Sequence, residues 1–373
     1  MKIPLMDLTA QYTELRTEID TAMRRVVDSG RFVGGPEVAA FNRLWAAYVG
    51  TEYALGCGNG TDAIEIALDA LGIGAGDEVI VPAMSWISTS EAVATRGAVP
   101  VFVDIDPQSR CIDPELVAAR ITPRTRALLI VHLYGHPCNM DRLTDIAEAH
   151  DLPLIEDCAQ AHGATWRGRK LGTFGRVSTF SFFPSKSLGA YGDAGAICTN
   201  DAALHERMRA IANHGMPGKR HIHHYHGRNS RLDALQAAVL SVKIPYLDRW
   251  IEAKNRVAER YDSRLRAADV PGERLQLPTV GEAARHGYHL YVIQTPERDE
   301  LGDYLSAREI DNNVHYPTAL PYHLCYRDRS PAEGDFSVAV HLSRTALSLP
   351  IYAEMTAGQV DQVCDALIQF FKK

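Results

Sequence analysis

The sequence contains no apolar run that approaches the roughly 20 residues needed to cross a bilayer. Its first residues, MKIPLMDLTAQY, lack the apolar core of a secretory signal peptide. The seven cysteines are scattered, odd in number and form no Cys-x-x-Cys pair, which argues against a disulfide framework and against a zinc ribbon. These absences predict a cytoplasmic protein that has no membrane partner.

An excess of positive charge is also missing. The formal net charge is −7, so the protein as a whole would not attract a nucleic acid or an anionic membrane. The first predicted helices, over residues 9–29 and from Gly34-Gly35-Pro36 onward, have none of the basic bias of a DNA-binding helix-turn-helix module. We therefore expect no nucleic-acid partner.

What is present is the composition of an ordinary globular protein, with 46% hydrophobic and 23% charged residues in 373. Short apolar runs alternate with amphipathic segments between residues 53 and 200. The predicted strands are residues 53–56, 78–81, 99–103, 127–132, 153–156, 178–182 and 196–199. This alternation predicts an α/β fold with a mostly parallel seven-stranded sheet that is flanked by helices and buried on both faces.

The length suits two domains. We predict a large domain over residues 1–245, in which residues 1–50 form N-terminal helices, and a smaller C-terminal α/β domain over residues 246–373. A long helical stretch, interrupted at Pro245, would join them. The elements expected in the smaller domain are strands at residues 289–295 and 342–349, a helix at 300–308, and a last helix capped by Thr356.

Residues 178–196, STFSFFPSKSLGAYGDAGA, join a short apolar strand to a glycine-rich turn. Lys186 lies at that junction, where partial burial is expected. Burial lowers the pKa of a lysine, and a neutral amine can attack a carbonyl group. Taken alone, a lysine in such a position is more often a surface residue of a loop. Ligands of parallel sheets bind beyond the carboxyl ends of the strands, where Lys186 is predicted to lie.

Two other predicted strand ends carry polar groups. Gly58-Asn59-Gly60-Thr61 joins the first strand to a helix, and its bare N–H groups would stabilise a phosphate. A dinucleotide site or a plain tight turn are the alternatives, although the acidic residue expected after the next strand of a dinucleotide fold is missing.

Glu156 and Asp157 end the fifth strand and would point to opposite faces. A buried carboxylate there needs an arginine or main-chain partner, or a protonated heterocyclic nitrogen. Gln160, about one turn later, could bond an adjacent phenolate-type oxygen. Trp86, which follows the second strand, suits the core or stacking on a planar ring.

A polar loop precedes the long helical stretch predicted from Leu232 to Leu265. It contains four histidines, at positions 221, 223, 224 and 226, followed by Arg228 and Asn229. No cysteine or carboxylate joins the histidines at helical spacing, so we predict no metal site. With Lys219, Arg220 and Arg228, the loop is better interpreted as an anion-binding segment, although Asn229 alone could be a helix cap.

Together these motifs resemble the DegT/StrS-type nucleotide-sugar aminotransferases, which are pyridoxal-phosphate enzymes with the aspartate aminotransferase fold (fold type I). The resemblance runs from Gly34-Gly35-Pro36-Glu37 through GNGTDA, EDCAQAHGA, FSFFPSK and GRNSRLDALQAA to HYPTALPYH. The resemblance rests on the order and spacing of several separate motifs. It covers nearly the whole chain.

The resemblance implies a cofactor role for each matching residue. Lys186 would form the Schiff base (aldimine) with pyridoxal 5′-phosphate, and Asp157 would keep the pyridine nitrogen protonated. Gln160 would contact the ring hydroxyl oxygen, and Trp86 would stack on the ring. The phosphate ligands would be Gly60, Thr61 and Ser181.

The resemblance also implies a homodimer with shared active sites, because Asn229 is expected to reach the phosphate in the neighbouring subunit. Substrate contacts are expected from His315, Tyr316 and His323, and Arg228 suits a diphosphate. The segment around Pro321-Tyr322-His323 departs from the usual Pro-Leu-His, which affects His323. Ser187 replaces the commoner Asn after the lysine, and Ala194 replaces a Gly.

The implied activity is a ping-pong transfer of an amino group from L-glutamate to a 3-keto or 4-keto hexose linked to a nucleoside diphosphate. One alternative is an aminotransferase that acts on a keto-cyclitol without a nucleotide. Another is a sugar dehydratase of the same fold, although those enzymes have histidine where this chain keeps Lys186. A non-catalytic regulator that binds the cofactor is a third.

Overall fold

The computed structural model describes residues 2–218, 221–270, 272–329 and 335–372. The α-helices are α1 (Leu8–Ser29), α2 (Gly35–Val49), α3 (Gly60–Ala70), α4 (Ser88–Thr95), α5 (Pro114–Val117), α6 (Met140–Ala149), α7 (Ala202–Ala212), α8 (Ala234–Lys243), α9 (Leu247–Ala267), α10 (Arg298–Ser306), α11 (Ser337–Thr345) and α12 (Ala357–Phe371). The strands are β1 (Tyr53–Cys57), β2 (Glu78–Pro82), β3 (Val99–Val103), β4 (Thr125–Val131), β5 (Leu154–Asp157), β6 (Thr165–Trp166), β7 (Arg169–Lys170), β8 (Val177–Ser181), β9 (Gly195–Thr199), β10 (Ala284–Arg285), β11 (Tyr291–Gln294) and β12 (Ala346–Leu349).

Seven strands form the main sheet in the order β1-β9-β8-β5-β4-β2-β3. The pairs from β8 through β3 are parallel, whereas β9 runs antiparallel to both β8 and β1. The predicted seven-stranded, mostly parallel sheet is therefore confirmed, and each of the seven apolar runs supplies one strand. The carboxyl ends of β2, β4, β5 and β8 consequently lie along one edge.

The strands are apolar on both faces because helices cover both. Val79 and Leu129 pack with side chains of α3 and α4. The alternate residues Ile80 and Leu128 pack on the other side, in a cluster that includes Trp45 of α2. The sheet is thus a rigid central layer, and such a layer fixes the strand ends in place.

A second apolar core lies in the C-terminal part of the chain. It contains the last turns of α9 and side chains of β11, β12, α10 and α12. Helix α9 contributes to both cores, with Trp250 in the first and Tyr261 in the second. Ile3 also packs in the second core and pairs with Ile310, so the first residues of the chain contact the C-terminal unit. The division at residue 245 stays a prediction.

The predicted strand over residues 342–349 is wrong in its first half. Leu342 to Thr345 end helix α11, and β12 begins only at Ala346. Ala339 and Leu342 are buried at helical spacing, and α11 passes into β12 without an intervening loop residue. In the described ranges, no helix is both long and apolar enough to cross a membrane.

Candidate active site

A cavity of about 660 Å³ lies at the carboxyl edge of the sheet, where ligands of parallel sheets bind. Most of the residues predicted to form the site meet in its wall. They are Gly60, Thr61, Trp86, Asp157, Gln160, Ser181, Lys186, His315 and Tyr316. The polar groups at three separate strand ends are therefore brought together by the topology, as the sequence pattern predicts.

Lys186 follows β8 in a tight turn. Its main-chain N–H donates to the carbonyl of Phe183 at 2.8 Å. A Cβ atom on Gly189 would lie 2.1 Å from the carbonyl oxygen of Pro184, so only glycine allows the turn to close. Burial lowers the pKa of the Lys186 amine to about 8, while the negative charge of Asp157 acts in the opposite direction. Near neutral pH, Lys186 is therefore uncharged and nucleophilic in a fraction of the molecules.

Asp157 ends β5 and is buried beside the cavity. Its Oδ1 accepts the N–H of Ala159 at 3.0 Å, and its Oδ2 accepts the hydroxyl of Thr89 at 3.3 Å. Burial raises the pKa of this carboxyl, and the Ala159 N–H and Lys186 oppose the rise. Among the described residues, no arginine pairs with Asp157, so it can bond a cationic group of a ligand.

Glu156 points away from the cavity, as strand alternation predicts. It accepts the N–H groups of Gly172, Phe174 and Gly175 at 2.8, 2.7 and 2.6 Å. Its Oε2 lies 3.2 Å from Nε2 of His132, whose Nδ1 accepts the N–H of Cys138. The structural interpretation of a buried carboxylate thus applies to Glu156, whereas Asp157 lines the cavity and its ligand role stays a prediction.

The same residues bear on metal binding. Within the described ranges, His132, Glu156 and Cys158 bring potential ligand atoms to within 4.8 Å of one another. Both nitrogens of His132 and both oxygens of Glu156 already have protein partners. A cation there would have to break these bonds, so we assign the group a structural role.

The N-terminus of α3 meets the ends of β8 and β9 at the opposite side of the cavity. Asn59 caps the helix by accepting the N–H of Asp62 at 2.8 Å, and the hydroxyls of Thr61 and Ser88 lie 2.7 Å apart. The first N–H groups of a helix have no partner inside it and favour an anion. A Cβ atom on Gly60 would lie 2.7 Å from Cβ of Ser181. This close approach brings the Ser181 hydroxyl to the N-terminus of α3.

Trp86 has 57% of its side chain exposed although it lines the cavity, which excludes the core interpretation. Its ring centroid lies 5.6 Å from that of Tyr316. Gln160 accepts the N–H of Tyr134 at 2.6 Å and donates to the hydroxyl of Tyr316 at 2.9 Å. Its amide is therefore fixed in orientation at the cavity wall.

Two cavity residues escaped the sequence reasoning. Thr89 donates to Asp157, and the run Ser85 to Ser90 is rich in hydroxyl groups, which was an available signal. His289 is buried in the wall, and its Nδ1 has no partner among the described residues. Burial lowers the pKa of His289 well below its usual value. No sequence pattern distinguished it.

Three predicted residues do not line the cavity of their own chain. Asn229 is exposed, and Arg228 pairs with Glu65 and lies 3.5 Å from Asp62. The charge of Arg228 is thus matched within the chain. His323 follows a short 3-10 helix outside the cavity wall. Of the proposed anion-binding loop, Lys219 and Arg220 lie outside the described residues, and the four histidines are exposed.

The wall suits pyridoxal phosphate on chemical grounds. The helix N-terminus and the hydroxyls fit a phosphate, Asp157 fits a protonated ring nitrogen, and Lys186 fits an aldehyde. The exposed face of Trp86 fits a planar ring. An α/β fold with these groups at one sheet edge is that of a pyridoxal-phosphate-dependent enzyme of fold type I.

A sequence profile of the DegT/DnrJ/EryC1/StrS aminotransferase family matches residues 13–368, and the chain belongs to this family. Pyridoxal phosphate is the cofactor of the family. The resemblance inferred from the motifs is confirmed, and the protein is an aminotransferase by family.

Similar proteins cover the full length. The chain is 45% identical to dTDP-3-amino-3,4,6-trideoxy-alpha-D-glucose transaminase of Streptomyces venezuelae, over 100% of this chain and 97% of the relative. It is 43% identical to the pleiotropic regulatory protein of Geobacillus stearothermophilus, over 100% and 99%. The crystal structure of S. venezuelae DesV in complex with a ketimine intermediate superposes with a TM-score of 0.96 at 44% identity, covering 100% and 99% of the two chains.

Proposed function

We propose that this protein transfers the amino group of L-glutamate to the ketone of a keto-sugar nucleotide, with Lys186 as catalytic base and acid. The observation that carries the proposal is the meeting of Lys186, Asp157 and the α3 N-terminus around one cavity of about 660 Å³. That volume is typical of clefts that enclose a small organic ligand. A relative with 45% identity is named as a dTDP-amino-sugar transaminase.

Each wall residue has a chemical task in this proposal. When bound, pyridoxal phosphate supplies an electrophilic carbon and a ring that accepts the electrons of a broken C–H bond. Asp157 would hold the ring nitrogen, and Gly60, Thr61 and Ser181 the phosphate. Neutral Nζ of Lys186 would remove the proton from the α-carbon of L-glutamate. In the reverse half, the same amine would deliver a proton to the sugar carbon.

His315 and Tyr316 are the substrate contacts that the geometry supports best. Nδ1 of His315 lies 2.8 Å from the hydroxyl of Ser348, and burial with the nearby Lys186 lowers the pKa of His315 to about 4. Neutral His315 therefore presents a polar, uncharged ring. Such a group suits a sugar hydroxyl better than a diphosphate.

We also propose that two chains share their active sites in a homodimer. Asn229 is exposed, as a residue that serves a neighbouring subunit must be. Apolar side chains stand nearby: Phe32 and Val33 are 48% and 54% exposed, and their backbone pairs with Asp233 and Ala234. A second copy would cover this patch. The free cysteines support action in the cytoplasm.

One relative favours a second candidate, because the 43% identical chain of G. stearothermophilus is named a regulatory protein. A cofactor-binding regulator is therefore one competing function. A keto-cyclitol aminotransferase, the alternative that the sequence left open, is the other. Addition of L-glutamate to the holoprotein distinguishes an aminotransferase from a cofactor-binding regulator. An aminotransferase converts its aldehyde cofactor to the amine form and releases 2-oxoglutarate, and a regulator leaves the absorbance unchanged.

A panel of acceptors tests the substrate. Holoprotein and L-glutamate are incubated with 3-keto and 4-keto hexoses linked to dTDP or UDP, and with a keto-cyclitol. We expect mass spectrometry to show an amino sugar nucleotide, and none with Lys186→Ala. Amination of the cyclitol alone would contradict the nucleotide-sugar assignment.

A further inference from the structure

A second, smaller cavity lies behind Lys186. It has a volume of about 30 Å³ and is bordered by Lys186, Ser187, Lys254, Tyr352 and Glu354. Lys186 lines this rear cavity and the main cavity alike. A volume of this size accommodates about two water molecules. Lys186 therefore borders both the ligand space and this second cavity, whose wall also contains the apolar side chains of Met6, Leu8, Trp250, Ile351 and Ala353.

Lys254 is a buried cation in the wall of the rear cavity. It lies on α9 with 4% of its surface exposed, and its Nζ donates to the hydroxyl of Ser187 at 2.7 Å. No carboxylate among the described residues lies within ion-pair distance of Lys254. Burial lowers its pKa to about 8, and Glu354 partly offsets this. Lys186 and Lys254 thus hold protons with similar strength.

Glu354 faces the same chamber with an unsatisfied oxygen. Its Oε1 is buried and has no hydrogen-bond partner in the described protein. Burial raises the pKa of Glu354. A buried carboxylate oxygen without a hydrogen-bond partner destabilises the fold, and a bound water molecule that donates to the oxygen removes this destabilisation. Asp7, the remaining acid in the wall, accepts the N–H groups of Thr9 and Ala10.

We propose that the rear cavity holds water that links Lys186 to Glu354 and Lys254, and that protons enter and leave Lys186 by this route. The proposal rests on the proposed function, in which Lys186 takes a proton from the amino donor. A bound sugar nucleotide would close the main cavity, and the rear chamber keeps the lysine in contact with a proton acceptor. Glu354 and Lys254 are positioning residues that act through water.

The transfer conserves atoms and charge. A proton leaves Nζ of protonated Lys186 for a chamber water, and that water passes a proton to Oε1 of Glu354 or to neutral Nζ of Lys254. The proton returns to Lys186 by the same steps in reverse, and no other bond is formed or broken. On the front side, Asp157, His289 and His315 face Lys186. Asp157 is hydrogen-bonded in place, and burial lowers the pKa values of both histidines.

A partition ratio tests the route in the holoprotein. In D₂O, L-glutamate and ¹³C-labelled 2-oxoglutarate are incubated together, and deuterium at the glutamate α-carbon and ¹³C exchange are measured in the same samples. The ratio of deuterium incorporated at the α-carbon to ¹³C exchanged reports how often the Lys186 proton exchanges with solvent in each turnover. We expect Glu354→Gln to lower this ratio by roughly threefold or more, because a neutral amide cannot accept a proton.

Matched variants separate the relay from stability. Lys254→Met should lower the ratio, and so should Lys254→Arg, because a guanidinium stays protonated and cannot accept a proton. Lys243→Met is the control: Lys243 is equally buried and donates to the carbonyl of Gly189 at 2.7 Å, but it does not line the rear cavity. The negative charge of Glu354 also opposes the lowering of the Lys243 pKa, so Lys243→Met removes a neighbouring buried cation without removing a group of the rear cavity wall. We expect it to lower the melting temperature and to change the ratio less than Lys254→Met does.

A crystal structure of the cofactor-free protein gives an independent readout. We expect an ordered water within hydrogen-bond distance of Oε1 of Glu354. An empty chamber, or an unchanged ratio in Glu354→Gln with normal ¹³C exchange, would overturn the relay alone. Absence of ¹³C exchange in the unmodified protein would overturn the proposed function, and the relay with it.

Discussion

In the proposed function, Lys186 attaches the cofactor only when its amine is uncharged. Its pKa is lowered to about 8, primarily by burial, so the neutral fraction rises about tenfold per pH unit below that value. We expect the rate at which cofactor-free protein binds pyridoxal phosphate to rise with pH and level off near pH 8. Stopped-flow absorbance at several pH values measures the profile.

A variant of Asp157 checks the cause of that profile. The negative charge of Asp157 raises the pKa of Lys186. Asp157→Asn should therefore move the midpoint of the rate profile to lower pH, although the variant should be inactive in transamination. A midpoint near 10.5, the ordinary pKa of a lysine, would show that burial does not lower the pKa of Lys186.

Single residues show where sequence reasoning succeeds and where it fails. Lys186 and Asp157 were predictable because strand ends and glycine turns are local patterns. The different roles of Glu156 and Asp157 follow from alternation, but the partners of Glu156 come from a loop 16 to 19 residues away. The pairing of Arg228 with Glu65 spans 163 residues. No local pattern reports such contacts.

At the scale of elements, Glu156 joins β5 to the loop that carries Gly172, Phe174 and Gly175. In Glu156→Gln, an amide NH₂ would face main-chain N–H donors. We expect a loss of about 2–4 kcal/mol in the free energy of unfolding, measured with urea, because buried donors lose their acceptor. Glu115→Gln is the control. Glu115 is 66% exposed and pairs with Arg142, and its replacement should change stability by less than about 0.5 kcal/mol.

The contact between β9 and α3 shapes the phosphate end of the cavity. A Cβ atom on Gly195 would lie 2.4 Å from the carbonyl carbon and oxygen of Asn59. Gly195→Ala should displace the N-terminus of α3 and weaken pyridoxal phosphate binding by roughly tenfold, equivalent to about 1.4 kcal/mol. Equilibrium dialysis measures the dissociation constant. Gly74→Ala, whose Cβ would meet only the Arg96 carbonyl at 3.7 Å, should bind normally, and equal weakening in both variants would contradict this account.

Element boundaries were predictable where the period of the apolar pattern is clear. The seven sheet strands and the break near Pro245 are of this kind. The helix α11 was missed because it ends at Thr345 and β12 begins at the next residue, with no loop to mark the boundary. The two-residue strands β6, β7 and β10 form a separate small sheet, and such short segments leave no periodic signal.

At the scale of the whole molecule, the order of strands could not be predicted. Strand β9 lies antiparallel between β1 and β8, and the apolar runs are similar enough to pair in other orders. The contact of Ile3 with the C-terminal core is likewise long-range. Sequence patterns specify elements, and the packing of the whole chain selects their neighbours.

The proposed sharing of active sites between two subunits gives a further prediction. Lys186→Ala removes the catalytic amine, and Asn229→Asp would place a negative charge near the partner's phosphate. We expect each variant to be inactive alone. After unfolding and refolding together, half of the dimers should be mixed and have one intact site, giving about a quarter of full activity if pairing is random. No recovery in a mixture shown to contain mixed dimers would contradict shared sites.

The most direct test follows the nitrogen atom itself. Holoprotein is incubated with L-glutamate labelled with ¹⁵N at the amino group and with the keto-sugar nucleotide that the acceptor panel identifies. The account predicts that ¹⁵N appears on the sugar carbon that carried the ketone, together with an equal amount of 2-oxoglutarate, and that Lys186→Ala produces neither. A sugar nucleotide without ¹⁵N, or label transfer that persists in Lys186→Ala, would contradict it.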